Sequence, residues 1–392
     1  MIFFGSSGLA VLVGVLVVAA PALLMPLWWL WMWLIDGPHV ISTWARTYLD
    51  AEERRTRRRL LVGSLVFLLS GPIALAASEL TRSPIPFDLF LLTAAIWAYH
   101  HTVRQHYGIL SIYERLAGSS SLVRRINALF MQIMMWTLFG LFLVVHPMNR
   151  ATLSLPAELS RAARAGVVAF SAALAIAGVV YAGFLFVRAR RGLSIRPGVF
   201  ALVPVIGMST FAYFIVGAFE PLLQSPRNPE QNFLAVGLVG GIVHGVQYLG
   251  IIFAVNRRRY APIPMEAPRC APGAAPNPAR SPSPGSGAYH GTDPSMAAAL
   301  GRAPRLAFVC FAILSLGYLL LNAARGGAPG VALCSESSDA GRLFLGIYWS
   351  IFFHHYYLDQ KIWRPHRDPA LRFELGLDQR ALDGDRAERA AA

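Results

Sequence analysis

The feature that most constrains this chain is a series of apolar stretches, each about 20 residues long, separated by short segments that carry most of its charge. Wound as a helix, a stretch of that length matches the hydrocarbon thickness of a bilayer. A soluble core has no room for so many of them, and in lipid only helices or closed barrels satisfy the backbone. The period-two alternation of barrel strands is absent, which leaves helices. Composition agrees: 55% of residues are hydrophobic and 14% charged, where an ordinary soluble domain carries about 25% charged residues. The expected fold is all-α, a polytopic integral membrane helical bundle.

The apolar blocks run over Leu9–Ile35 and over about 60–79, 87–113, 125–146, 165–188, 198–219, 232–255, 304–323 and 341–358, which predicts about nine transmembrane helices. The first has neither the basic n-region nor the cleavage site of a signal peptide. It reads as a retained helix, kinked at Pro21 and Pro26 and ending in an interfacial belt of Trp28, Trp29, Trp31 and Trp33. Arginines cluster after alternate blocks: Arg54, Arg55, Arg57, Arg58 and Arg59, then Arg115, Arg124 and Arg125, then Arg188, Arg190 and Arg191, then Arg257, Arg258 and Arg259. That alternation predicts an outside N-terminus and a cytoplasmic C-terminus.

The same placement accounts for the formal charge of +14. No basic stripe interleaved with exposed aromatics is present, so nucleic acid is not an expected partner. Lys361 is the one lysine, and the Arg-, Ala- and Gly-rich composition points to a GC-rich bacterial genome, hence a bacterial inner membrane. Cys270, Cys310 and Cys334 share no CxxC spacing and imply neither a disulfide framework nor a thiolate metal site. The chain divides into a bundle over 1–259 (spans one to seven), a disordered Pro/Ala/Gly/Ser-rich cytoplasmic linker over 260–303, two further spans over 304–364 and a cytoplasmic tail over 365–392.

Ionisable residues inside membrane helices are costly and therefore functional candidates. With spans three, seven and nine all descending inward, His100, His101, His106, His244, His354 and His355 fall toward the cytoplasmic leaflet, and His39 follows span one on the same side. His146, His290 and His366 lie elsewhere. Residues three or four apart share a helix face. His244 so aligns with Gln247 and Tyr248, His100 with Arg104, and His101 with Gln105. His355 aligns with Asp359, the spacing of a carboxylate that orients a metal-bound imidazole. His39 precedes Thr43, Arg46 and Asp50 on a segment expected at the interface, where a lone histidine is more often an interfacial hydrogen-bonder than a ligand. The adjacent pairs are harder to explain by packing. The predicted metal ligands are His100 or His101, His244, and His354 or His355, with His39 closing the site. Arg104, Tyr248 and Asp359 form the surrounding machinery, and Gln105 and Gln247 contact a cofactor or substrate.

Imidazole-rich sites suit iron, copper or zinc. HExxH, GxSxG and the P-loop pattern are absent, so the sequence lacks signatures of a zincin protease, a serine hydrolase or a P-loop NTPase. The motifs around 39–50, 100–108, 244–248 and 354–364 resemble the general plan of integral membrane histidine-cluster metalloenzymes. These are the desaturase and hydroxylase class and the Brp/Blh-type carotene dioxygenases. The resemblance extends to bacterial multi-pass proteins of unassigned activity. It implies iron, oxygen chemistry and a lipid-soluble substrate entering from the membrane lipids. The desaturase boxes HxxxH and HxxHH are absent, which favours a mononuclear site or a haem over a di-iron centre. Two alternatives stay open: a proton- or ion-coupled transporter, and a non-catalytic haem or structural membrane protein.

Overall fold

The computed structural model describes residues 2–145, 157–218, 229–260, 296–324 and 339–377, nearly all helical and without a strand among them. His146, His290, most of the 260–303 linker and the tail beyond 377 lie outside the described residues.

The first apolar block is not one kinked helix. Helix α1 (Ile2–Ala19) stops at Ala20, whose backbone is extended (φ −139°, ψ 82°) as the residue before a proline prefers. After a tight turn at Pro21–Leu23, α2 (Leu24–Trp31) continues through a wide π-helical turn (Met32–Asp36) into α3 (Gly37–Tyr48). Pro38 opens α3 and, lacking an N–H, cannot complete the regular ladder to Leu34; the backbone widens there instead. Contacts with the long helix at Pro229–Arg259 give the direction. Along α1, Phe3 faces Gln247 and Gly14 faces Val239; coming back, Trp28, Trp31 and Ile35 meet Gly237, Gly241 and Gly245. The block is therefore an antiparallel hairpin, and Phe3 and His39 end at the same level. The expectation of one crossing over Leu9–Ile35 failed because Pro21, read as a kink, reverses the chain.

Next come α4 (Ala51–Thr56), α5 (Arg58–Thr81), α6 (Ile85–Leu116), α7 (Ser121–Val145), α8 (Ala157–Arg190) and the partly π-helical α9 (196–218). They are followed by α10 (Pro229–Arg259), α11 (Met296–Arg302), α12 (Pro304–Ala324), α13 (Asp339–Ile362) and α14 (Pro369–Glu374). Among the described residues, five helices are long and apolar enough to cross a membrane: α5, and spans within α7, α8, α10 and α12. The apolar residues point outward as well as inward. In α8, Val168, Ile176, Val179 and Val180 are exposed, as are Val62, Val66, Leu69 and Ile73 in α5. Such surface suits hydrocarbon rather than water. Two-thirds (67%) of the α10 span is buried, against 17% in α5 and α8, so α10 is the central post.

Helices α3, α6, α10 and α13 run in one direction. Going along α6, Phe87, Trp97 and His101 meet Arg342, Phe353 and His355 of α13 in the same order. Helix α5 lies antiparallel to α13, with Gly71 so close to Gly346 that a side chain on Gly71 would strike backbone. Small residues allow this approach where lipid supplies no hydrophobic drive. Ser350 Oγ accepts the Gly71 N–H at 2.8 Å, fixing the register. Residues Met296–Arg302, within the stretch expected to be disordered, are helical. The run MAAALGR is rich in strong helix formers, forms α11 and packs Gly301 against Tyr260.

Candidate metal centre

Four parallel helices each deliver one histidine to the same depth: His39 from α3, His101 from α6, His244 from α10 and His355 from α13. The ring centroid of His39 lies 4.4 Å from that of His355, 4.8 Å from His244 and 6.4 Å from His101. His101 is 5.0 Å from His244 and 5.2 Å from His355. Asp359 joins from one turn beyond His355, its Oδ2 3.5 Å from His355 Nε2 and 3.7 Å from His101 Nε2. One ligand atom from each of His39, His101, His355 and Asp359 can be chosen so that all lie within 4.8 Å of one another. None of the four residues is more than 4% exposed.

What marks the cluster is its unmet polar demand. Both ring nitrogens of His39 and of His355, Nε2 of His101, Nδ1 of His244 and Oδ2 of Asp359 are buried without a hydrogen-bond partner. Each such atom costs about 1–3 kcal/mol, and native proteins carry few of them. A cation at the centre would satisfy several at once. The other oxygen of Asp359 is spoken for: Tyr248 donates to Oδ1 at 2.6 Å and Thr43 at 3.0 Å. These bonds hold the carboxylate with Oδ2 turned inward, the support that metal-bound carboxylates usually receive. Tyr356 stacks on His101 at 4.5 Å and walls that side.

Each adjacent pair divides, because successive helical residues point about 100° apart and only one can face the centre. His101 and His355 face it; His100 and His354 do not. His100 lies beside Trp136, ring centroids 6.3 Å apart. His354 is fully engaged elsewhere: Nδ1 accepts from Trp44 Nε1 at 3.1 Å, and Nε2 meets Tyr48 Oη at 2.8 Å and Ser64 Oγ at 3.1 Å. Of the other expected residues, Arg104 is exposed over the Tyr107 ring. Gln247 is buried against the Phe3 carbonyl, 3.5 Å away, and not at the cluster. Gln105 donates to the His244 carbonyl at 2.9 Å, so it positions α10 rather than touching the centre. His106 bonds the Thr102 carbonyl within its own helix.

His39, expected to close the site although a lone histidine there is more often an interfacial hydrogen-bonder, lies within the cluster, its ring beside those of His244 and His355. Asp36 was missed. Its Oδ1 is 4.0 Å from His39 Nδ1, and Tyr318 donates to its Oδ2. A carboxylate three residues before a histidine, inside an apolar block, was the available signal.

Below the cluster, toward the end of α10, lies a buried ion-pair network. Arg259 reaches Asp50 at 3.0 Å, Glu374 at 3.1 Å and Glu53 at 3.4 Å. Asp50 also caps α4 and accepts from Tyr260. Burial pushes the Asp50 carboxyl up, but the Arg259 guanidinium and the hydrogen bonds outweigh it and hold the group below the usual carboxylate range. Arg46 sits 5.0 Å from the Trp363 ring and 3.6 Å from Glu374, and Trp363 Nε1 approaches Tyr248 Oη at 3.5 Å. This network ties α14 under the cluster.

No family model, no curated protein and no solved structure matches this chain.

Proposed function

We propose that this chain is a bacterial multi-pass inner-membrane metalloprotein whose site of His39, His101, His355 and Asp359 holds one first-row transition metal ion, iron in first place. The observation that carries the proposal is the convergence of buried, partnerless ligand atoms from four distant points in the chain. Three imidazoles and one carboxylate form a donor set that suits iron and also zinc. The rings surround a point, whereas a haem needs a flat slot with ligands on its two faces, so a non-haem ion is the better fit. A bound iron would supply oxygen activation, making the protein an oxidoreductase for a lipid-soluble substrate reaching the bundle from the membrane. Tyr248 and Thr43 orient the carboxylate, Gln105 sets the depth of His244, and Tyr356 keeps water from His101.

The topology belongs to the same reading. The arginine-rich segments face the cytoplasm. With the first block folded as a hairpin, the crossings number ten rather than nine, and the N-terminus joins the C-terminus inside. Reporter fusions at Met1 and after Glu374 test this; signals from opposite sides would refute it.

The decisive experiment on the site is elemental analysis of the purified full chain. We expect about one equivalent of iron, and a melting temperature that falls on chelation because the ion binds only the folded state. Absence of any stoichiometric metal, or full retention in a His101→Ala/His355→Ala variant that still folds, would overturn the site. Stoichiometric zinc with no iron would overturn the redox assignment.

A further inference from the structure

A second cavity, of about 770 Å³, lies where α6 ends and α7 begins, closed on one side by the α14 segment, and shares no lining residue with the metal centre. Arg115, Arg124, Arg125 and Arg372 line it, together with a single carboxylate, Glu114. Leu110, Ala128 and Leu129 supply apolar lining beside Ser111 and Gln132, and Leu129 is exposed.

Arginines between crossings are expected on the cytoplasmic side from topology alone, and that accounts for their exposure. It does not account for Glu114. This side chain is 2% exposed; Asn127 donates to its Oε1 and is itself held by Tyr181 at 2.6 Å, yet Oε2 has no hydrogen-bond partner. A buried carboxylate oxygen without a hydrogen-bond partner, in a cavity lined by four arginines, points to a ligand that is anionic overall and carries a hydrogen-bond donor next to its charge. Leu129, exposed on the α7 surface beside those arginines, offers contact to a hydrocarbon tail.

We propose that this cavity binds an anionic glycerophospholipid with a hydroxyl-bearing head group. The phosphate sits among the arginines, a head-group hydroxyl donates to Glu114 Oε2, and an acyl chain follows Leu129. Basic pockets between membrane helices recognise phospholipid head groups by this chemistry. Four cations against one anion favour a lipid of net negative charge over a zwitterion.

Native mass spectrometry of the full chain in non-ionic detergent tests the assignment, with phosphatidylglycerol, phosphatidylmethanol and phosphatidylcholine as probes. We expect one retained phosphatidylglycerol, with phosphatidylmethanol weaker because it lacks the hydroxyl and phosphatidylcholine weakest because it lacks the net charge. Arg124→Gln/Arg125→Gln should weaken phosphatidylglycerol about thirtyfold, at roughly fivefold per arginine. Each single variant keeps most of the segment's charge for insertion and should show its own fivefold loss. Glu114→Met should erase the preference for phosphatidylglycerol over phosphatidylmethanol. Metal content should match the parent in all of them, which separates this result from that of the metal centre. Unchanged lipid retention in the arginine variants would overturn the site, and displacement of phosphatidylglycerol by millimolar inorganic phosphate would reassign it to a soluble ion.

Discussion

The metal centre and the ion-pair network around Arg259 are both buried, both polar, and both built from α3, α10 and the C-terminal part of the chain. They differ in how their polar atoms are used. In the network, Arg259 spreads its donors over Asp50, Glu53 and Glu374, and Arg57 bridges Glu53 and Asp368 at 3.2 and 2.7 Å. Charge meets opposite charge within the chain. In the centre, histidine nitrogens face one another and a carboxylate, leaving atoms that no protein group can serve. The network sets cations against anions and locks helices, even though Arg46 keeps its three guanidinium nitrogens without a hydrogen bond; the centre gathers imidazoles and a carboxylate with no cation of the chain among them. His354 and His355 repeat the contrast at the scale of one peptide bond, the first engaged at both nitrogens and the second at neither.

If this contrast is right, damage to the two regions should read out differently. The largest effect is expected from Arg259→Ala, which takes the shared cation from three buried carboxylates and leaves Asp50 with no cationic partner within 4.0 Å among the described residues. Breaking such an arrangement costs about 3–5 kcal/mol, measurable as a lower denaturation midpoint, while the folded fraction keeps its metal. His101→Ala or His355→Ala should do the reverse. Loss of a ligand should weaken metal binding by more than about 100-fold, beyond what loss of a supporting residue does, as read by competition with a calibrated chelator. Tyr248→Phe removes one support of Asp359 and should weaken the metal about tenfold with little change in apo stability. His354→Ala should cost about 1–2 kcal/mol of stability and leave metal content unchanged; a loss of metal there would erase the distinction between the paired histidines.

The smallest effect concerns acid. Because the folded Asp50 carboxyl is held below its ordinary value, its contribution is fully present above the unfolded carboxylate range, about pH 4. It disappears as pH falls through the lower folded value. Asp50→Asn should therefore be less stable than the parent near neutrality and lose less of its stability on acidification below about pH 4. An unchanged acid limb would show that Asp50 is not the titrating partner of Arg259.

Much of this was legible in residue order. Helical fold class followed from the length of the apolar blocks. The shared depth of His101, His244 and His355 followed from alternating span directions, and Asp359 from its spacing to His355. Spacing could not choose within HH, because both residues occupy the same depth and differ only in azimuth, which neighbouring helices define. His39 was legible as a possible ligand, but its segment was placed along an interface; once Pro21 reversed the chain, α3 became an inner helix with His39 buried on it. Helices α6 and α13 fall outside the five most apolar spans, though both hold site histidines.

The sequence by itself determined that this chain forms helices with apolar outer faces, and that a set of imidazoles must lie within them, since hydropathy and helical period are local properties. Only the tertiary structure decided which imidazoles meet, that Asp36 and Thr43 stand beside them, and that α1 turns back. Those are outcomes of packing: Gly71 on Gly346, Trp31 on Gly241 and Ile35 on Gly245 set the approach and rotation of each helix, and that rotation decides whether a histidine reaches the shared centre or a hydrogen-bond partner elsewhere.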